Sequence, residues 1–309
     1  MNQLVWRLHY RQVYWAVGVL AVLAVALVIT GIKMSDDYHS FQAACAATQS
    51  CADAGSLLFR GDGFILDVVG STLAGSALLG MFWGAPLLAK EYEEGTQDLA
   101  WTQGVTRRKW LGMNLAWVFG AAVLWAGALT VLVSWWRSPE NAIDGRFEAF
   151  DVQGIVPVAY AVFAVSLGVA AGTVLRRVLP AIATTIGGFA AVRFPIDVWL
   201  RPHFMPAVTK LYPIGSRANG PRGAWALSSR LIGPGGRPLG YDPRSLAFQL
   251  CGGRPAAVRC LAAHGYHESV TYQPAGRFWA FQGIEAAIFV ALAVALLAIA
   301  YQSVLKRDA

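Results

Sequence analysis

Six apolar runs, each long enough to cross a bilayer, constrain this chain more than any other feature. They cover 13–32, 64–89, 110–135, 152–175, 178–200 and 278–304. A hydrocarbon core of about 30 Å needs roughly 20 consecutive apolar helical residues. Backbone groups find no partner in lipid, so runs of this kind must be helices. The run 178–200 is the weakest, because Arg193, Pro195 and Asp197 interrupt its end. Composition agrees, since only 14% of the 309 residues are charged, against about 25% in ordinary globular domains. The expected fold is all-α: a polytopic membrane protein forming one domain, 1–309, with six transmembrane helices.

Lys and Arg in the short loops set the orientation. Arg7, Arg11, Lys90, Arg107, Arg108, Lys109, Arg176, Arg177, Lys306 and Arg307 fall on one side of six alternating spans. That side reads as cytoplasmic, with both termini on it, in a plasma membrane. Segments 33–62, 136–151 and 201–277 are then external. The first run follows Arg7 and Arg11 as a secretory signal would. It is longer than a signal core, however, and the small residues Ala43, Ala44, Ala46 and Ala47 lie well downstream. It reads as an uncleaved anchor, with 1–12 an interfacial segment on the cytoplasmic side.

A polar island, 90–109, separates the second and third runs and holds the densest charge in the chain. Glu91, Glu93, Glu94 and Asp98 open it, and Arg107, Arg108 and Lys109 close it. Gly95, Thr96 and Gly104 interrupt any long helix between them, glycine costing a helix interior roughly 1 kcal/mol relative to alanine. Thr106 can cap the following helix with its hydroxyl. The three basic residues behind it carry the wrong sign for a helix N-terminus. Anionic lipid headgroups offset that, at about 1 kcal/mol per basic residue near the surface. Trp101 and Trp110 add interfacial anchoring. The basic half therefore faces membrane lipid and the acidic half points into solvent. Charge alone fits a solvated loop as well as a surface for a soluble partner.

Small residues recur every four positions at Ser76, Gly80 and Gly84, and again at Gly168 and Gly172, with Thr184, Gly187 and Gly188 on the fifth run. Such faces let helices approach closely. The pattern fits packing inside one bundle or a seam between two chains. All four cysteines, Cys45, Cys51, Cys251 and Cys260, fall on the external side, where disulfides persist. Neighbour pairing joins Cys45 to Cys51 and Cys251 to Cys260, although four cysteines allow three pairings. His264 and His267 near Cys260 match no zinc spacing, so no metal site is expected. The external loop 201–277 holds nine Arg and one Lys against Asp242 and Glu268. Its Gly-Pro content predicts short helices joined by turns. Arg193 and Glu285, each about 10 Å below the outer surface at 1.5 Å per residue, are expected to pair across the fifth and sixth helices, with Asp197 as the rival for Arg193.

Several stretches resemble permease subunits of ABC-2-type ABC transporters. They are Phe82-Trp83-Gly84-Ala85-Pro86, Glu91 to Thr96, Trp101 to Thr106 with the basic trio, Leu200 to Phe204, and Gly265-Tyr266 through Gln273-Pro274 to Arg277-Phe278-Trp279 and Glu285. The likeness implies a coupling helix in the 90–109 loop, with Glu91, Glu93, Glu94, Gly95, Thr96 and Asp98 against a cytoplasmic ATPase. It implies two ATPase subunits, a second permease chain and a substrate path between the permease halves. Phe82 and Trp83 are candidates for lining that path. The likeness further implies efflux of a drug, antibiotic, peptide or lipid. The chain has no GxxxxGK[ST] phosphate loop. It is therefore read as non-catalytic, binding no cofactor itself, with ATP and Mg on the partner ATPases. Nucleic acid is not an expected partner. The competing reading is a membrane sensor, assembly factor or lipid-modifying protein without transport activity.

Overall fold

A computed structural model describes residues 2–48, 78–94, 107–214, 221–238 and 257–306. The described chain forms two compact units. The first comprises Met1–Pro139, Ala149–Ile196 and Gln282–Ala309, and the second Glu140–Glu148 and Asp197–Phe281.

The first unit is a helical bundle. Helix α1 spans Asn2–Thr48 and α2 spans Ala85–Glu94, entered through a π-helical turn at Gly80–Gly84. Then come α3, Arg107–Trp136, and, after the short α4 at Ser138–Ile143, helix α5, Val156–Leu175. Helix α6 runs Val178–Pro195 into a second π-helical turn, Ile196–Leu200. The last helix of the bundle, Phe278–Lys306 (α8), begins in the second unit. Among the described residues, five segments are long and apolar enough to cross a membrane: Val13–Ser40, Leu111–Trp136, Val156–Leu175, Val178–His203 and Ala275–Val304. The chain is thus a mostly helical, multi-pass membrane protein. Of the expected second span, 64–77 lies outside the described residues.

Helix α1 overruns the expected boundary at 32 because residues 33–48 contain neither Gly nor Pro. Polarity changes there, but nothing in the backbone ends the helix. Of the expected 1–12 segment, the described residues 2–12 belong to the same helix. In the other direction, α5 starts at Val156, later than the apolar run at 152. Gly154 turns the chain with φ +76°, and a Cβ on it would lie 2.6 Å from Gln282 Oε1.

Helix α5 is the centre of the bundle: 72% of its best apolar window is buried inside the protein, against 11% for α1. Its C-terminal half lies against the second helix, backbone to backbone. A Cβ on Gly80 would sit 2.4 Å from Ala164 O, and one on Gly168 2.4 Å from Gly80 O. The small residues at 80, 84, 168 and 172 are therefore packing inside one bundle. Around this seam, Leu87, Leu88, Leu111, Val118, Val165 and Val169 belong to one buried apolar cluster. Helix α1 packs on α3 through Leu27, Met34, Leu129, Val133 and Trp136. Two indoles tie that pair together: Trp125 Nε1 donates to Ala16 O and Trp136 Nε1 to Thr30 Oγ1, each at 3.0 Å.

The second unit overturns the all-α expectation for 201–277. Strands β1 (Val208–Pro213), β2 (Trp225–Ile232) and β3 (His267–Gln273) form an antiparallel sheet in the order β1-β3-β2. Val208 pairs with Tyr272 and Pro213 with His267, while β2 carries a bulge between Ala226 and Ser228. Each strand carries some of Val, Thr, Tyr, Trp and Ile, which suit a pleated, half-buried surface. The turn at Gly233–Gly236 matches the expected role of Gly and Pro, but it follows a strand and not a helix. One short helix, α7 (Ala257–Ala263), precedes β3. Phe147 stacks on Trp225 and meets Phe278 and Phe281 edge-on. Gln273, fully buried, donates to Met205 O at 2.7 Å and accepts from Arg277 Nη1 at 2.8 Å. Tyr212 on β1 donates to the Tyr272 hydroxyl on β3 at 3.4 Å. That bond, reinforced by burial and by the neighbouring phenol's charge, raises the Tyr212 pKa above its ordinary value.

Candidate functional site

Among the described residues, polar groups gather in the apolar bundle where the island begins and at the opposite end of α5 and α6. At the first, α2 delivers Tyr92 and Glu93 to the turn between α5 and α6. Glu93 Oε2 accepts a hydrogen bond from Val178 N at 3.1 Å, satisfying one of the free N–H groups in the first turn of α6. The Arg176 guanidinium lies 4.8 Å from the Tyr92 ring centroid. Arg176 itself is left-handed, with φ 53°, and closes α5 by donating its backbone N–H to Gly172 O. Glu91 is half-buried and Lys109 exposed. Glu94, Arg107, Arg108 and Trp110 are helical, with side chains outside the described set. Gly95, Thr96, Asp98 and Trp101 lie outside the described residues.

The second place is a polar cluster built from α5, α6, α8 and the turn that leads into α5. Arg193 Nη2 meets Asp151 Oδ1 at 2.5 Å. The Tyr160 hydroxyl donates towards Asp151 Oδ1 at 3.1 Å and towards Glu285 Oε1. The Arg193 guanidinium also lies 4.8 Å from the Tyr160 ring centroid. Arg193 and Glu285, expected as a direct pair, thus enter one cluster in which Asp151 is the carboxylate at 2.5 Å and Tyr160 connects the two acids. Asp197, expected as the rival for Arg193, is 2.6 Å from Arg201 Nη1. Gln282, one turn before Glu285, accepts from both Ile155 N and Val156 N at 3.0 Å and donates to Phe150 O at 2.8 Å. It caps the N-terminus of α5. Phe289 meets Tyr160 and Phe163 edge-on, sealing the cluster from the apolar bundle beyond it. Tyr160, Gln282 and Asp151 escaped the sequence reading; the first two are uncharged, and Asp151 falls at the edge of a run.

Trp83 forms part of the wall of an apolar cavity of about 680 Å³, with Val13, Val17, Trp117, Leu124 and Trp125 among its other lining residues. Phe82 is exposed. In the second unit, Cys260 is disulfide-bonded, so its sulfur is committed and His264 turns to the Cys260 carbonyl, with Nδ1 at 2.8 Å. The side chain of Cys45 is outside the described set, and Cys51 and Cys251 lie outside the described residues. Glu140, Asp144 and Glu148 bring carboxylate oxygens within 4.8 Å of one another. Such oxygens suit hard cations, but Asp144 and Glu148 are exposed to solvent.

Compared with known proteins, residues 17–201 match the family model described as ABC-2 membrane transporter related. No curated protein and no solved structure matches the chain.

Proposed function

Because the chain belongs to the ABC-2 membrane transporter related family, we propose that it is the permease subunit of an exporter driven by separate cytoplasmic ATPases. The observation that carries this is the extent of the family match, which runs from within the first span through the island to Arg201. In this reading the island is the coupling element, and both termini share its cytoplasmic side of a plasma membrane. Two permease chains and two ATPases make one transporter. ATP binding closes the ATPase pair, moves the island and reorients the spans between inward and outward access. The largely apolar walls around Trp83 favour a hydrophobic or amphipathic cargo.

The test is purification from native membranes in mild detergent, followed by mass spectrometry and ATPase assay. A phosphate-loop ATPase in one-to-one ratio, with vanadate-sensitive hydrolysis, is expected. Recovery of the permease with no ATPase, from membranes that contain candidate ATPases, contradicts the reading.

A further inference from the structure

We propose that Tyr92, Glu93 and the Arg176–Val178 turn form a latch that passes motion of the island into α6. The inference rests on the ATPase-docking reading above and reassigns Glu93 within it, from an ATPase contact to a positioning residue. The N-cap of α6, Arg177, makes no side-chain capping bond. The acceptor comes instead from another helix, through Glu93 Oε2 to Val178 N. Among the described residues, Arg176 is alone in being a non-glycine at positive φ, a conformation that L-residues other than Asn and Asp rarely adopt. The turn holds it there while its guanidinium sits on the Tyr92 ring.

The helices beneath the latch have no room to slide. A Cβ on Gly172 would stand 2.7 Å from Ala85 O, and Ala85, Ala89, Ala171 and Ala181 make a buried cluster of minimal side chains. The ends of α2, α5 and α6 are therefore one interlocked body, and rigid elements of this kind transmit displacement. The last turn of α6 carries Arg193, whose 2.5 Å contact with Asp151 puts the buried polar cluster at the far end of the lever. A push on the island thus reaches the opposite side of the membrane through α6.

Glutamine separates the two roles of Glu93. Its amide oxygen still accepts from Val178 N–H, but it offers no charge to an ATPase. Spin labels at Val131→Cys and Phe194→Cys, both exposed on the bundle, report the ATP-plus-vanadate distance change in the assembled complex. E93A is expected to lower the amplitude of that change at least fivefold, while E93Q stays within twofold of the parent. R176G, which suits the left-handed turn but lacks the guanidinium, is expected to lower it at least twofold. ATPase co-purification should fall less than twofold in all three. E93Q as impaired as E93A, or E93A at full amplitude, overturns the latch. If the unaltered protein captures no ATPase, the docking reading fails first and the latch with it.

Discussion

The two ends of α5 are held in opposite ways. Its C-terminal half lies against the second helix mainly through glycines and alanines in close backbone contact. Its N-terminal end is fixed by Gln282, Glu285, Asp151 and Arg193, each supplying a donor or acceptor in a definite direction. A backbone seam tolerates no added atom but asks for no particular chemistry. A polar cluster accommodates changes of shape and fails when one partner is removed. One end is therefore a steric joint and the other an electrostatic one.

Removing charge from the electrostatic end has the largest expected effect. Arg193→Ala removes the guanidinium that meets Asp151 at 2.5 Å and is expected to cost about 4 kcal/mol, as broken buried pairs do. Exchanging the two charges, Arg193→Asp with Asp151→Arg, should recover at least half of that in thermal unfolding in detergent. The steric end is next. Gly168→Leu pushes against Gly80 O and should cost about 3 kcal/mol by overpacking. Gly187→Leu, with nothing within 4 Å of its Cβ, should leave the melting temperature unchanged. A smaller loss, about 2 kcal/mol, is expected from Gln282→Ala, which strips the acceptor from the Ile155 and Val156 N–H groups at the entry to α5; faster hydrogen exchange at Ile155 and Val156 would locate it.

The second unit supplies the weakest effect. Tyr212 has a raised pKa because its neutral form is hydrogen-bonded to Tyr272. A raised folded-state pKa contributes stability that is complete below the unfolded value, near 10, and fades as pH rises through the folded one. Tyr212→Phe should therefore reduce stability slightly at pH 8 and flatten its decline above pH 10. An unchanged alkaline profile would mean that the phenol pair contributes nothing.

The apolar runs were legible because lipid permits so few structures, and α3, α5, α6 and α8 fall close to their expected bounds. What ends a helix was less legible: α1 runs past its apolar stretch because polarity alone does not break hydrogen bonding along the backbone. The sheet was hidden by its flanks, since Gly, Pro and Arg dominate 201–277 while its β-branched residues occupy only short stretches. Arg193 and Glu285 stood out as charges in apolar runs. Their partners did not: Tyr160 resembles any interfacial aromatic, and Gln282 any weakly polar residue on a span. Glycine spacing revealed a close contact, and only the fold showed that both faces belong to one chain.

The most direct test of the central proposal, that the island meets an ATPase inside the cell, is a photo-crosslinking amino acid at Asp98 in intact cells. An adduct with a phosphate-loop ATPase, identified by mass spectrometry, is the predicted result. Adducts formed only with lipid or with external proteins, at full expression of the candidate ATPase, would contradict it.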